Sequence, residues 1–175
     1  PDGTHFFGNN YEAPVVVTNY AQLETPIFWG EVPFPTVEQA YVAAKFSGVE
    51  VSKFISELQE ELDSRGVINS PAQRARTLGH SKSTKAWAAA GWHQPLPDRI
   101  ANWDYCKISI MADLVHQKFQ RNPILAKALL ATGDRLLIEH TTGWNDPFWG
   151  MVDPIARLAK KPRTAKMERL HGQYN

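Results

Sequence analysis

Phe34-Pro35-Thr36-Val37-Glu38-Gln39-Ala40-Tyr41-Val42-Ala43-Ala44-Lys45-Phe46 is the stretch that organises the reading of this chain. Pro35 disfavours helix immediately before it. Thr36, with Gln39 three residues on, has capping-box spacing: the hydroxyl accepts from a first-turn amide and the glutamine side chain reaches back. A helix is expected over 37–46. Glu38, Tyr41 and Lys45 then share one face, at spacings of three, four and seven. Glu38 lies near the positive end of that helix. Ala40, Ala43 and Ala44 are small enough for another element to approach closely.

Upstream, the β-branched run at 14–20 is expected to be a strand, and 26–35 a loop with a short strand at 27–29. Downstream, Phe54, Leu58 and Leu62 recur every fourth place, so 51–62 is expected to be an amphipathic helix. Ser70-Pro71 has the pattern of an N-cap with proline at the first helical position. The helix it opens runs through Arg74 and Leu78 and is expected to stop at Gly79, a left-handed cap. Residues 81–97, with Trp87, Trp92 and two prolines, are expected to be a surface excursion with room for one helical turn. The clearest helical period covers 103–119, where Ile108, Met111, Val115 and Phe119 form a core stripe. Trp103, Lys107 and Met111 step by four along an adjoining line. Asn122-Pro123 restarts the chain into a helix over 124–130, Thr132-Gly133-Asp134 is a turn, and 135–139 is a strand. Residues 140–150 have no period and are rich in turn and aromatic residues, as a binding loop is. A short helix is expected over 164–170.

At 175 residues the chain suits one domain, 1–175, able to bury a core without metal or disulfide help. Its 43% hydrophobic and 21% charged residues are ordinary for globular proteins. Cys106 is the one cysteine, which excludes an intramolecular disulfide and fits a reducing compartment. No apolar run approaches the roughly 20 residues that span a bilayer. Residues 1–5 lack the pattern of a secretion signal. The expected location is cytoplasmic, with no membrane partner. A net charge of +1 excludes a protein that holds duplex DNA through phosphates alone. The two basic segments, 74–85 and 160–166, are read first as solvated surface.

Six histidines, none at helical ligand spacing, and the lack of HExxH or paired-Cys motifs argue against a metal site. No phosphate-cradling or dinucleotide glycine loop and no GxSxG elbow is present. Cys106, in mid-helix, reads as a small core residue. Acid–base chemistry remains. Breaking a ribosyl C–N bond builds positive charge on the sugar and negative charge on the departing base. Glu38 could stabilise the first, with Lys45 as its partner; from spacing alone it reads more readily as a surface helix residue. In Asn145-Asp146-Pro147-Phe148-Trp149-Gly150, Asp146 could orient a water or sugar hydroxyl and Trp149 could stack on a base. The same residues also suit a turn that plugs the edge of a core. Trp103 with Lys107 repeats the aromatic-plus-cation theme, or is a tryptophan packed at a helix start.

Four blocks in order resemble the YbiA-like (NADAR) family. Thr18-Asn19-Tyr20 is similar to its Ser-Asn-Phe element, and residues 34–46 to its Pro-Thr-x-Glu-His-x-x-Gln-x-x-Lys block. Residues 102–111, continuing to Lys118-Phe119, resemble its Trp-x-x-x-Lys-x-x-x-Met helix. Leu137-Ile138-Glu139-His140-Thr141 with 146–150 resembles its Glu-to-Asp-x-x-Trp-Gly loop. Ala75-Arg76-Thr77-Leu78-Gly79 fits a weaker element. The resemblance implies a compact, helix-dominated α+β domain with a few short strands, and hydrolysis of N-glycosidic bonds without a cofactor. It implies Glu38, Lys45 and Asp146 as catalytic residues. Asn19, Trp103, Lys107, Glu139, Phe148, Trp149 and Gly150 are implied as substrate-binding. Family members act on phosphorylated ribosylamino-pyrimidine intermediates of riboflavin synthesis, or remove ADP-ribose from guanine in nucleic acid.

This chain departs from the pattern in three places. Gln39 stands where a histidine is usual, the 81–100 link is long, and Met151-Val152-Asp153-Pro154 replaces a Gly-Lys-Gly-x-Asn-x-Leu-Gly run. A changed tail and link favour ADP-ribosylated guanine, in DNA, RNA or a nucleoside, as the expected substrate. The riboflavin-pathway ribosylamine is the alternative within the class. A non-catalytic module that binds ADP-ribose or a nucleotide is the alternative outside it.

Overall fold

The computed structural model describes residues 5–7, 17–134, 137–139 and 146–150. Its strands are β1 (His5–Phe7), β2 (Ile27–Trp29), β3 (Val32–Phe34), β4 (Glu61–Leu62), β5 (Ile68–Asn69) and β6 (Leu137–Glu139). Its helices are α1 (Val37–Ala43), α2 (Val49–Ser56), α3 (Pro71–His80), α4 (Thr84–Ala89), α5 (Trp103–Arg121) and α6 (Pro123–Leu130). The fold is α+β and helix-dominated, and among the described residues the short strands pair in twos. β1 runs parallel to β6, while β2–β3 and β4–β5 are antiparallel.

The chain divides into two compact units. One holds 1–18 and 132–175, with β1 and β6; the other holds 19–131, with every helix named above. In the larger unit α1 is the hub, packed on α2, α3 and α5. Its alanines permit this: Ala40 and Ala43 are buried, as are Val37 and Val42, and the elements around α1 bury Ile55 (α2), Ala75 and Leu78 (α3), Ile27 (β2) and Phe34 (β3). The N-terminus of α1 is fixed by polar contacts. Thr36 accepts the Gln39 amide at 3.1 Å, and its hydroxyl donates to Gln39 Oε1 at 3.0 Å. Gln39 does not complete a capping box. Its Nε2 instead donates to Ile55 O (2.9 Å) and Ser56 O (3.3 Å), tying α1 to the end of α2.

Several expectations are corrected. Where described, 17–20 is a turn rather than a strand, and the Asn19 carbonyl in that turn accepts the Glu38 amide at 3.0 Å. The first helix ends at Ala43, because Lys45 N donates to Val42 O and Phe46 N to Ala43 O, a tighter three-residue pattern. The second helix also ends early: Leu58 is buried beyond it, but Leu62 is 65% exposed in a small hairpin turned around Asp63. Ser70 does cap α3, in a full capping box with Gln73. Gly79 is not a left-handed cap, since α3 continues to His80. A Cβ on Gly79 would lie 2.9 Å from Val42 Cγ1, so its glycine serves close approach of α3 to α1.

The 81–97 stretch is not merely surface. Trp87 of α4 is fully buried, its ring edge-on to Phe46 at 5.2 Å and close to Phe54 and Trp92. On α5 the buried face is turned from the expected stripe: Leu114 and Lys118 are buried, while Ile108 is 59% exposed. Asn122 does restart the chain: its side chain accepts from Thr25 N (2.9 Å) and donates to Thr25 O and Lys118 O. The tail, with the helix expected at 164–170, and residues 140–145 lie outside the described residues. Among the described residues, no helix is long and apolar enough to cross a membrane.

Candidate active site

The larger unit brings Asn19, Glu38, Lys45 and Trp103 to neighbouring positions, each through local structure. The Asn19 carbonyl holds the Glu38 amide, and Asn19 Nδ2 makes a long 3.5 Å contact to Met111 Sδ on α5. That contact ties the 18–20 turn to α5 only weakly, since a thioether is a poor acceptor. Glu38 is half-buried in the first turn of α1. Lys45 sits in the tight turn after α1 and still feels the charge of Glu38. Tyr41, one turn before Lys45, meets Trp103 of α5 with ring centroids 4.9 Å apart.

The Lys45 ammonium lies over both rings, 5.1 Å from Tyr41 and 5.6 Å from Trp103. Both distances fall within the ~6 Å reach of a cation–π contact, worth ~0.5–2 kcal/mol. Lys45 is only 7% exposed. Burial pushes its pKa below the ordinary lysine value, and the charges of Arg99, Arg76 and Lys107 push it the same way. Glu38 opposes them and favours the ammonium. The Lys45 proton is therefore held less firmly than that of an exposed lysine. Lys107 follows Trp103 by one turn and pairs with Asp104 at 2.8 Å.

The remaining site residues expected from sequence lie in the smaller unit. Glu139 ends β6 and is exposed. Asp146 Oδ1 accepts the amides of Phe148 (3.0 Å) and Trp149 (3.2 Å), an Asx turn that stacks the two rings edge-on at 4.8 Å. Phe148 is exposed, while Trp149 and Gly150 are half-buried. This turn presents an aromatic surface of the kind that receives a base.

Sequence reasoning left Tyr41 out of the site, although it had placed that residue on the Glu38–Lys45 face. It missed Arg99 altogether, because the 81–100 link carries no period. Arg99 donates through Nη2 to Gly79 O, pairs with Phe46 in an isolated bridge, and lies 5.7 Å from the Phe46 ring.

Comparison with known proteins matches residues 1–173 to the NADAR domain. The chain is 25% identical over 151 residues to a riboflavin biosynthesis protein of Vibrio vulnificus, covering 86% of this chain and 31% of that one. It is 30% identical over 115 residues to an N-glycosidase of Nostoc punctiforme, covering 66% of this chain and 59% of that one. It is also 30% identical over 118 residues to a chloroplastic riboflavin biosynthesis protein of Zea mays, covering 67% of this chain and 16% of that one. The chain thus spans less than two thirds of the length of each of these relatives. The NMR structure of the Escherichia coli protein YbiA superposes with a TM-score of 0.58 at 25% identity, covering 85% of this chain and 72% of that one.

Proposed function

Because the chain belongs to the NADAR domain family, we propose that it is an N-glycosidase that hydrolyses the bond between a ribose-type sugar and a nitrogen. One observation carries this reading: a buried lysine, Lys45, is enclosed by Tyr41 and Trp103 and feels the charge of Glu38. A module that only binds nucleotides has no need of both Glu38 and Lys45 at this place.

In this reading the lone pair of the base nitrogen opens the sugar ring: the bond from the anomeric carbon to the ring oxygen breaks, that oxygen takes a proton, and Glu38 stabilises the cationic anomeric carbon. Lys45, when neutral, adds through Nζ to the anomeric carbon of the ring-opened sugar. The carbon–base bond then breaks, its electron pair leaves with the base, and the base takes a proton. Water hydrolyses the resulting imine, which frees the sugar and restores the amine. Trp103 and Trp149 are the candidate platforms for the base. Asn19 and Lys107 of the larger unit bind substrate; for Glu139, Phe148 and Gly150 as substrate-binding residues, and for Asp146 as the residue that orients a water or hydroxyl, the support is the family resemblance.

The substrate placed first is ADP-ribosylated guanine, on the ground of the altered run after Gly150 and the long 81–100 link. The printed names of two relatives favour a second reading, a phosphorylated ribosylamino-pyrimidine. The test presents both substrates, with borohydride present during turnover. A sugar adduct trapped on Lys45 supports the imine route. Absence of an adduct, with Lys45→Arg active, leaves Lys45 an electrostatic role only. Full activity of Lys45→Ala removes it from the site.

A further inference from the structure

We propose that Arg99, on the 81–100 link, receives a phosphate group of the substrate beside Lys45, with Arg76 facing the same place from α3. The inference rests on the proposed N-glycosidase reading and assigns the phosphate side of that site.

The link is stitched to the turn that carries Lys45. Ser47 N donates to Asp98 O at 2.9 Å, Ile100 N donates to Lys45 O at 3.0 Å, and Phe46 bridges Arg99. These bonds flank Arg99 on both sides and fix its backbone against the candidate site. Its guanidinium is then aimed by the Gly79 carbonyl and the Phe46 ring. A Cβ on Gly79 would lie 3.5 Å from Lys45 Nζ, so the carbonyl that holds Arg99 belongs to the residue packed against that amine. Arg76 precedes Gly79 by three residues on α3, hence on nearly the same face.

One bond to Gly79 leaves most of the five guanidinium N–H groups available, and the residue is exposed. Among the described residues Arg99 makes no ion pair. Among the described residues, Arg99, Arg76 and Lys107 place positive charge near Lys45 and Glu38 places negative charge there. Asp104 is already paired with Lys107. The exposed Arg99 guanidinium itself offers an entering anion a favourable positive potential. A planar fork of N–H donors suits phosphate oxygens. A C-cap for α3 is the competing role of Arg99, and it needs no ligand.

The test is titration of the whole protein with ribose 5-phosphate and, in parallel, ribose, followed by NMR chemical shifts. The expected result is saturable binding of ribose 5-phosphate, weakened about tenfold or more in Arg99→Gln and partly restored in Arg99→Lys. Thermal melting should be nearly unchanged in both variants, and ribose should bind all three proteins equally. Arg99→Gln that binds ribose 5-phosphate like the native protein would overturn the proposal. So would a native protein that does not bind it, or a variant whose loss of binding only tracks a loss of folding. The result is separable from the N-glycosidase reading: if no N-glycoside is cleaved, that reading falls, while Arg99-dependent phosphate binding still stands or fails on its own.

Discussion

Replacing Gly79 by alanine tests the contact that sets α3 against the Lys45 turn. The new Cβ would lie 2.9 Å from Val42 Cγ1 and 3.1 Å from Val42 Cγ2. Carbon pairs prefer about 3.5–4.0 Å. Val42 is fully buried and β-branched, so it has little freedom to turn away. The Lys45 amine at 3.5 Å is the end of a flexible chain and can yield. Overpacking of this kind costs about 1–3 kcal/mol. Against that, alanine gains up to ~1 kcal/mol over glycine inside a helix, and Gly79 has no positive φ to preserve. The net expectation is a loss of about 1 kcal/mol, or roughly 2–4 °C in Tm for a chain of this size. Urea denaturation of the variant measures it. Adding Val42→Ala to Gly79→Ala should recover part of the loss, a coupling of at least ~0.5 kcal/mol. A Gly79→Ala protein as stable as the native one, or more stable, would refute the close-approach account.

Glu38→Gln should lower turnover about a hundredfold to a thousandfold with folding nearly unchanged, measured by initial rates beside a melting curve; a rate above a tenth of native would remove Glu38 as the key carboxylate. Trp103→Ala should weaken substrate binding by about 1–3 kcal/mol while Trp103→Phe is tolerated, read by titration calorimetry. Equal binding by the alanine variant, with a lowered Tm, would make Trp103 a packing residue. Lys118 is almost fully buried, and burial pushes its pKa down to about 8 from 10.5. The unfolded chain therefore holds more protons between these values, so this lysine's contribution to stability rises with pH from about 8 to 10.5. The gain is on the order of 3 kcal/mol. Lys118→Met should lack this rise in urea midpoints measured across that window; a parallel pH profile in both proteins would contradict the assignment.

How much was legible in the sequence differs from element to element. Caps with a local cause were readable: Thr36 and Ser70 both accept from the amide three residues on. Periodicity was less dependable where tertiary partners choose the face. On α5 the chain buries Leu114 and Lys118 instead of centring on Ile108. Trp87 and Arg99 were illegible because the 81–100 link has no period, and only its hydrogen bonds to 45–47 give it a place. Gly79 shows the same limit, since the residue type signals either a left-handed cap or a close approach and only Val42 decides. The Glu38–Tyr41–Lys45 face was readable from helical spacing, although the helix itself stops before Lys45. The Trp103 ring that covers Lys45 comes from a distant helix, and its place there followed from the family resemblance, not from spacing.

The most direct measurement is mass spectrometry of products after the protein is incubated with ADP-ribosylated guanine DNA and, separately, with a phosphorylated ribosylamino-pyrimidine, in water enriched in heavy oxygen. The account predicts that at least one substrate yields a free base and a sugar whose anomeric oxygen carries the label. It predicts almost none from Glu38→Gln. Binding of both substrates by a well-folded protein, with neither one cleaved, would contradict it and leave a nucleotide-binding module in its place.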